Sequence, residues 1–426
     1  MPEIIPLRSF VEGADDSLFS LYNLPYGIFR HGKHDLPRVG VAIGDFVCDL
    51  ALLEQQGLLS VVAAEPVFAR SSLNYFAALG PGAWSAVRER LQSLLCIENP
   101  LLQENAALLK QVLIPQQEVT LLLPFDIGAF TDFYTSEQHA SHVGRLFRPN
   151  DNPLLPNWKR LPVGYNGRAS TVFVSGTPIR RPNGQIKLSP DADAPIFSPS
   201  RKLDFEVEFG FFVGVGNPEG KPITVEQAAA HIFGCVLVND WSARDIQAFE
   251  YQPLGPFLSK SFGTSISPWV VPYAALAPAM VSLGKQVPKP VRYLFQEDPQ
   301  QPAVHLQTEI LPQGGAVRTT LSQTNSKDLY WSMEQMLAHH TVNHCIMQPG
   351  DLLATGTISG DEKSSWGCLL EITSNGKEPV QLHGDARRTF LEDGDTVIMT
   401  GYCETPYANI GFGSVEGIIL PAEPVV

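Results

Sequence analysis

The chain has none of the marks of a membrane, secreted or nucleic-acid-binding protein. Across 426 residues there is no apolar run of about 18 and no basic start followed by an apolar segment, so neither a membrane span nor secretion is expected. The cytoplasm is the expected compartment. Basic residues are the minority, 30 Lys and Arg against 44 Asp and Glu, and they form no cluster suited to neutralising a run of phosphates. Nucleic acid is thereby excluded as a partner. The six cysteines, Cys48, Cys96, Cys235, Cys345, Cys368 and Cys403, include no C-x-x-C pair. That removes a zinc ribbon or redox couple and leaves most of them as small buried hydrophobes. Internal repeats are also missing.

Turn formers are plentiful. Glycine and proline, 35 of each, favour short strands over a helical bundle. The length and a hydrophobic content of 44% suit one large core and a smaller one, hence two domains. Near the start, residues 37–43 and 46–50 flank a Gly44-Asp45 turn and read as a hairpin of a small barrel. Two helices are expected at 83–96, where Val87, Leu91, Leu94 and Leu95 form a core stripe, and at 101–113. Residues 114–118 read as a boundary, dividing the chain into 1–118 and 119–426, with 119–124 opening the larger part. Beyond it strands are dense, at 171–174, 205–213, 234–239, 268–271, 304–311, 352–354, 368–373 and 396–400. Helices are expected only at 136–147, 224–233, 242–249 and 327–340, and 188–200 reads as a long polar loop. The class is mostly antiparallel β, formally α+β.

Phe205-Glu206-Val207-Glu208-Phe209-Gly210-Phe211-Phe212-Val213 is the most informative stretch. Alternation puts Glu206 and Glu208 on one face and Phe205, Val207, Phe209 and Phe211 on the other. Two carboxylates on so apolar a strand call for a positive partner, a metal ion being the simplest, unless that face is solvated. Elsewhere, Thr135 or Ser136 is placed to cap a helix with His139 in its first turn, after Asp132 and Tyr134. The positive end of that helix favours the neutral imidazole that a general base must be. A surface histidine is the plainer alternative, and His142 reads as surface.

The apolar run Cys235-Val236-Leu237-Val238-Asn239 delivers Asp240 to a strand end, and Ser242 with Asp245 resembles a capping box. Arg244, Gln247 and Tyr251 then share one helix stripe of polar donors, suited to an oxyanion or a carboxylate. Lys260 stands among small and apolar residues, where a lysine needs an acidic partner. The loop Thr355-Gly356-Thr357-Ile358-Ser359-Gly360 allows close backbone approach to a ligand but lacks the GK[ST] of a phosphate loop. Glu371 is a lone acid in the apolar run 368–373, either a site residue or a water-facing one at a strand edge.

Long motifs in a fixed order resemble the fumarylacetoacetate hydrolase family from end to end. They are Asn23-Leu24-Pro25-Tyr26-Gly27, Val41-Ala42-Ile43-Gly44-Asp45, Thr131-Asp132-Phe133-Tyr134 with Gln138-His139-Ala140, and Leu155-Pro156-Asn157-Trp158. Leu161-Pro162-Val163-Gly164-Tyr165, Asn239-Asp240-Trp241-Ser242-Ala243-Arg244-Asp245-Ile246-Gln247 and Gly263-Thr264-Ser265-Ile266-Ser267-Pro268-Trp269-Val270 complete the set.

The resemblance implies an amino-terminal SH3-like barrel, a larger β-roll and a homodimer. It places metal carboxylates on Asp132, Glu206, Glu208 and Asp240, with Lys260 and Thr264 beside them; an all-oxygen set selects Mg²⁺ or Ca²⁺ over zinc. By the same resemblance Tyr134, Arg148, Tyr165, Gln247, Tyr251 and Thr357 line the pocket of a small dicarboxylate diketone. His139 becomes the base, oriented by Glu371, with Arg244, Gln247 and Lys260 stabilising an oxyanion during hydrolysis of a carbon–carbon bond. Ser259, His142 and Asn166 depart from the residues usual in animal members, which are Gly, Asn and His. The alternatives are a related acylpyruvase or decarboxylase, or a non-catalytic metal-binding module, which has no need of His139, Glu371 and Arg244 together.

Overall fold

A computed structural model describes residues 6–148, 150–189 and 191–424. In the amino-terminal part the hairpin Arg38–Ile43 and Phe46–Asp49 forms, with Gly44 supplying the positive φ its turn needs. It belongs to a five-stranded antiparallel sheet in the order Leu113–Pro115, Phe46–Asp49, Arg38–Ile43, Tyr26–His31, Val119–Leu122. The two edge strands are joined only by the short turn Gln116–Glu118, so the sheet has to curl until its edges approach. A small barrel is the result. The boundary expected after residue 118 is corrected by the same pairing: Val119–Leu122 lies against Ile28–His31 and completes the first sheet rather than opening the second.

The helix Pro81–Leu95 buries Val87, Leu91, Leu94 and Leu95. The single helix expected at 101–113 is two, Pro100–Gln103 and Ala106–Val112, because the Asn105 side chain accepts from Leu108 N–H and starts a new helix.

The larger part is built on a mixed sheet with Val207–Val213 near its middle, between Leu352–Ala354 and Ile232–Asp240. Phe130–Phe133 and Gly164–Asn166 extend it on one side, Thr264–Ile266 and Val172–Val174 on the other. Val207, Phe209, Phe211 and Val213 share a core with a second sheet, whose longest strands are Val304–Leu311, Thr396–Cys403 and Ile410–Leu420. Phe209 meets Phe412 edge-on at 5.4 Å between ring centroids. The opposite face carries Phe212, stacked on Phe125 at 4.3 Å, into the core of the amino-terminal unit. The central strand is thus buried on both faces.

Several expected elements shift for local reasons. Residues 224–233 keep a short helix, Val225–Ala228, continued by a 3₁₀ turn over Ala229–His231, and then enter the strand Ile232–Asp240. The helix expected from 327 starts at Met333, where Ser332 and Gln335 form a capping box. The strand expected at 268–271 is instead Thr264–Ile266 followed by Val271–Pro272. Within 188–200, Ile196–Pro199 pairs with Asn183–Ile186, while Pro190 lies outside the described residues. Among the described residues no helix is long and apolar enough to cross a membrane.

The helix Glu137–Phe147 packs its Gly144 against the Pro153 loop so closely that an added Cβ would lie 2.0 Å from the Pro153 carbonyl oxygen. Replacing a helix glycine by alanine gains about 1 kcal/mol in propensity. Here the clash with backbone outweighs it, and overpacking of this kind costs roughly 1–3 kcal/mol. Gly144→Ala is expected to lower the denaturant midpoint of unfolding.

Candidate active site and metal centre

Neighbouring strands deliver four carboxylates to one place. Asp132 lies in register between Tyr165 and Ala354, and Glu208 pairs with Val238. Asp240 ends its strand opposite Thr264. Glu206 enters just before Val207–Val213, its N–H donating to the Asn239 side chain at 3.1 Å. All four are buried, and each offers an oxygen within 4.8 Å of the others. Their cationic partners are few. Lys260 donates to Glu206 and, at 3.0 Å, to Asp240. Arg244 pairs with Glu206 at 2.7 Å but shares its charge with Asp204 at 2.9 Å. Thr264 and Tyr165 donate to Asp240 at 2.7 and 2.6 Å.

The imbalance shows in the titration of the acids. Burial would raise the Glu206 carboxyl, but Lys260 and Arg244 overcome it and bring it down to about 2. Glu208 and Asp132 have no comparable partner. Burial, then repulsion from Asp240 and Glu206, pushes Asp132 well above the ordinary carboxylate range, and burial, then repulsion from Asp132, Asp240 and Glu206, does the same to Glu208. Asp132 Oδ1 and both Glu208 oxygens are buried without a hydrogen-bond donor. Orphaned oxygens, a purely oxygen donor set and excess negative charge are what a hard divalent cation requires, so these residues fit a metal centre.

Beside this cluster stands a histidine–carboxylate pair. Ser136 caps the helix Glu137–Phe147 by accepting from the His139 N–H. His139 Nδ1 lies 2.7 Å from Glu371 Oε2. Glu371 also accepts from Ser359 Oγ at 2.8 Å and Cys368 Sγ at 3.1 Å. Burial opposes its charge, but the His139 imidazole and these donors hold it far below the ordinary range. An ionised carboxylate only accepts, so Nδ1 donates to it, and the form of the ring that can act as a base has its lone pair on Nε2. Cys368 is buried against Glu371, which raises its thiol well above the usual range and keeps it a donor rather than a nucleophile.

The strand expected at 368–373 is the short helix Leu369–Ile372. The Asp204 carboxylate accepts from Leu369 and Leu370 N–H at 2.7 and 2.9 Å, capping that helix and turning Glu371 inward, away from water.

A cavity of about 400 Å³ joins the two groups. Its lining includes Asp132, Glu206, His139, Arg244 and Lys260 together with Tyr134, Arg148, Tyr165, Gln247, Tyr251 and Thr357. Glu208, Asp240, Thr264 and Glu371 stand behind that wall, in contact with residues that form it or the carboxylate cluster. Arg148 Nε and Thr357 Oγ1 are buried without protein partners. The expected oxyanion donors are more committed than their stripe implies: Arg244 Nε serves Asp204, Nη1 serves Glu206 and Gln247, and only Nη2 lacks a partner. The capping box expected at Ser242 and Asp245 does not form. Ser242 Oγ donates to the Asp240 carbonyl, and Asp245 accepts from Ser200 and Arg201.

Two contributors were missed in the sequence. Asp204 continues the alternation of Glu206 and Glu208, a signal present in Asp204-Phe205-Glu206-Val207-Glu208. His142, read as surface, places Nδ1 2.7 Å from Glu371 Oε1.

Comparisons with known proteins identify the family. Residues 128–418 match the family model for the fumarylacetoacetate (FAA) hydrolase C-terminal domain, and 22–124 match that for the fumarylacetoacetase N-terminal domain. Bovine (Bos taurus) fumarylacetoacetase is 49% identical over 97% of this chain and 99% of its own. The Oryza sativa subsp. japonica fumarylacetoacetase is 47% identical, with 98% of each chain covered. Among solved structures, the fumarylacetoacetate hydrolase of Exiguobacterium antarcticum shares the fold at 16% identity, with a TM-score of 0.54 over 93% of this chain and 99% of that one. The chain belongs to the fumarylacetoacetate hydrolase family.

Proposed function

We propose that the chain hydrolyses 4-fumarylacetoacetate to fumarate and acetoacetate, the last step of tyrosine and phenylalanine degradation. The observation that carries this reading is the cavity that sets the His139–Glu371 pair beside a buried four-carboxylate cluster. Likeness to curated fumarylacetoacetases over nearly the whole length supports the substrate.

The products dictate the chemistry. To yield fumarate, water must add to the ketone next to the fumaryl double bond. The carbon–carbon bond then breaks with its electron pair leaving as the acetoacetate enolate. His139 Nε2 takes the proton of the attacking water, and Glu371 holds the resulting imidazolium. The same proton returns to the departing carbon. Arg244 through Nη2, the Gln247 amide and Lys260 stabilise the tetrahedral oxyanion, while Arg148 with Tyr134, Tyr165, Tyr251 and Thr357 anchors the substrate. Asp132, Glu206, Glu208 and Asp240, with Lys260 and Thr264 beside them, would hold Mg²⁺ or Ca²⁺. When bound, the ion supplies Lewis acidity to the diketone oxygens and the developing enolate. A cytoplasmic homodimer is the form in which we expect the chain to act.

Loss of fumarylacetoacetate ultraviolet absorbance, compared with acylpyruvates, tests the reading. Hydrolysis of the first substrate that disappears on chelation and returns with Mg²⁺ or Ca²⁺ is expected; activity on acylpyruvates alone would favour the related keto-acid enzyme. His139→Ala should lose at least about a hundredfold in kcat while keeping its fold and metal binding. Near-normal turnover by that variant would remove His139 as the base.

Glu208→Gln should weaken divalent-ion affinity by more than about tenfold in calorimetry. In the unsubstituted protein, binding the ion must displace protons from Asp132 and Glu208, whose carboxyls titrate above the ordinary range. Affinity is therefore expected to fall as pH is lowered through that raised range, with proton release on binding. An affinity flat across mildly acid pH would contradict the assignment.

A further inference from the structure

We propose that His142 is a positioning residue for the hydrolytic base, acting through Glu371. The inference rests on His139 being that base. His139 and His142 are three residues apart on the helix Glu137–Phe147, so both rings project from one face. Each places Nδ1 2.7 Å from Glu371, but on different oxygens: His139 on Oε2 and His142 on Oε1. The two carboxylate oxygens are unequally served. Oε2 accepts from His139, Ser359 and Cys368, whereas His142 is the one side-chain donor to Oε1 among the described residues.

The Glu371 side chain has no exposure to solvent, so without His142 no water replaces the lost donor and Oε1 is left charged and unpaired. A carboxylate in that state rotates or shifts to recover a donor, and any such movement draws Oε2 away from His139. His142 therefore fixes the plane of the carboxylate, and through it the tautomer and aim of the His139 ring. It does this without touching substrate: it is absent from the cavity lining and packs instead on Trp366, 4.6 Å between ring centroids. The other titratable groups facing the pair are Glu206, which interacts with His139, and Tyr134, whose ring lies edge-on to His139 at 5.3 Å. Neither reaches Glu371 Oε1.

Asparagine and leucine separate this role from simple packing. Asn Nδ2 stands as far from Cβ as His Nδ1 does, so His142→Asn keeps a donor at the same place, and His142→Leu fills a similar space without one. In the Mg²⁺-loaded protein, His142→Leu is expected to lower kcat about tenfold, with KM and Mg²⁺ affinity unchanged, and His142→Asn to restore most of it. A second readout does not depend on activity. With nitrogen-15-labelled histidine, the low-field Nδ1–H signal of His139, identified by its loss in His139→Ala, should move in His142→Leu and return toward its original position in His142→Asn. A His139 signal and a kcat indifferent to leucine, or equal damage from leucine and asparagine, would overturn the proposal. If the unsubstituted protein fails to hydrolyse fumarylacetoacetate, the functional reading falls, and the histidine signal alone decides whether His142 positions the pair.

Discussion

Four buried carboxylates that share too few cations are the constraint around which the site is arranged. Each ionised acid taken out of water costs several kcal/mol unless it is paired, and Lys260 and Arg244 supply two positive charges against Asp132, Glu206, Glu208, Asp240 and Asp204. The deficit is not spread evenly. It falls on Asp132, whose Oδ1 has no donor, and on Glu208, neither of whose oxygens has one, and it is relieved at Glu206, which holds both cations. Such an arrangement is poor as a means of stabilising a fold. As a receptor for a divalent ion it is well suited, because the unmet charge is concentrated where the ion's ligands have to be.

The cation shortage also couples this cluster to the histidine pair. Arg244 bridges Glu206 and Asp204, and Asp204 in turn caps the short helix that presents Glu371. Asp204 is therefore one buried residue linking the acid cluster to the His139–Glu371 pair. Burial raises its carboxyl and Arg244 opposes that, so its ionised state depends on the guanidinium staying in place. Neutralising either partner of the Arg244–Asp204 pair would disturb two functions that a residue-by-residue reading keeps apart.

What could be read from the sequence follows from how local each cause is. The acidic strand is legible because alternation is a property of consecutive residues, and Glu206 and Glu208 sit in it regardless of what lies opposite. The Ser136 cap over His139 was equally local, needing only a hydroxyl three residues before the histidine. Glu371 was misplaced on a strand because Leu369–Ile372 is apolar and short, and what makes it helical is a carboxylate 165 residues earlier in the chain. Val119–Leu122 was assigned to the wrong unit for a similar reason, since its partner strand is Tyr26–His31 and proline-flanked segments look alike whether they link two sheets or turn within one. His142 had the spacing of a second ligand to Glu371, but spacing along a helix does not say which of its faces meets a buried acid. The ligand set itself came from the family resemblance; alternation alone left a solvated face equally open.

The amino-terminal unit acquires a purpose in this setting. On Val207–Val213 the side of the sheet that carries Glu208 also carries Phe212, and Phe212 stacks on Phe125 within the core of the first unit. A one-residue slip of the strand would exchange Glu208 with the phenylalanines that face the second sheet, burying a carboxylate among Phe412 and its neighbours and sending Phe209 toward the carboxylate cluster. Docking of the first unit onto Phe212, and of the second sheet onto Phe209, opposes that slip from both faces at once. The two cores are thus what holds the carboxylates in register, and the small barrel contributes to the geometry of the site through the strand they share.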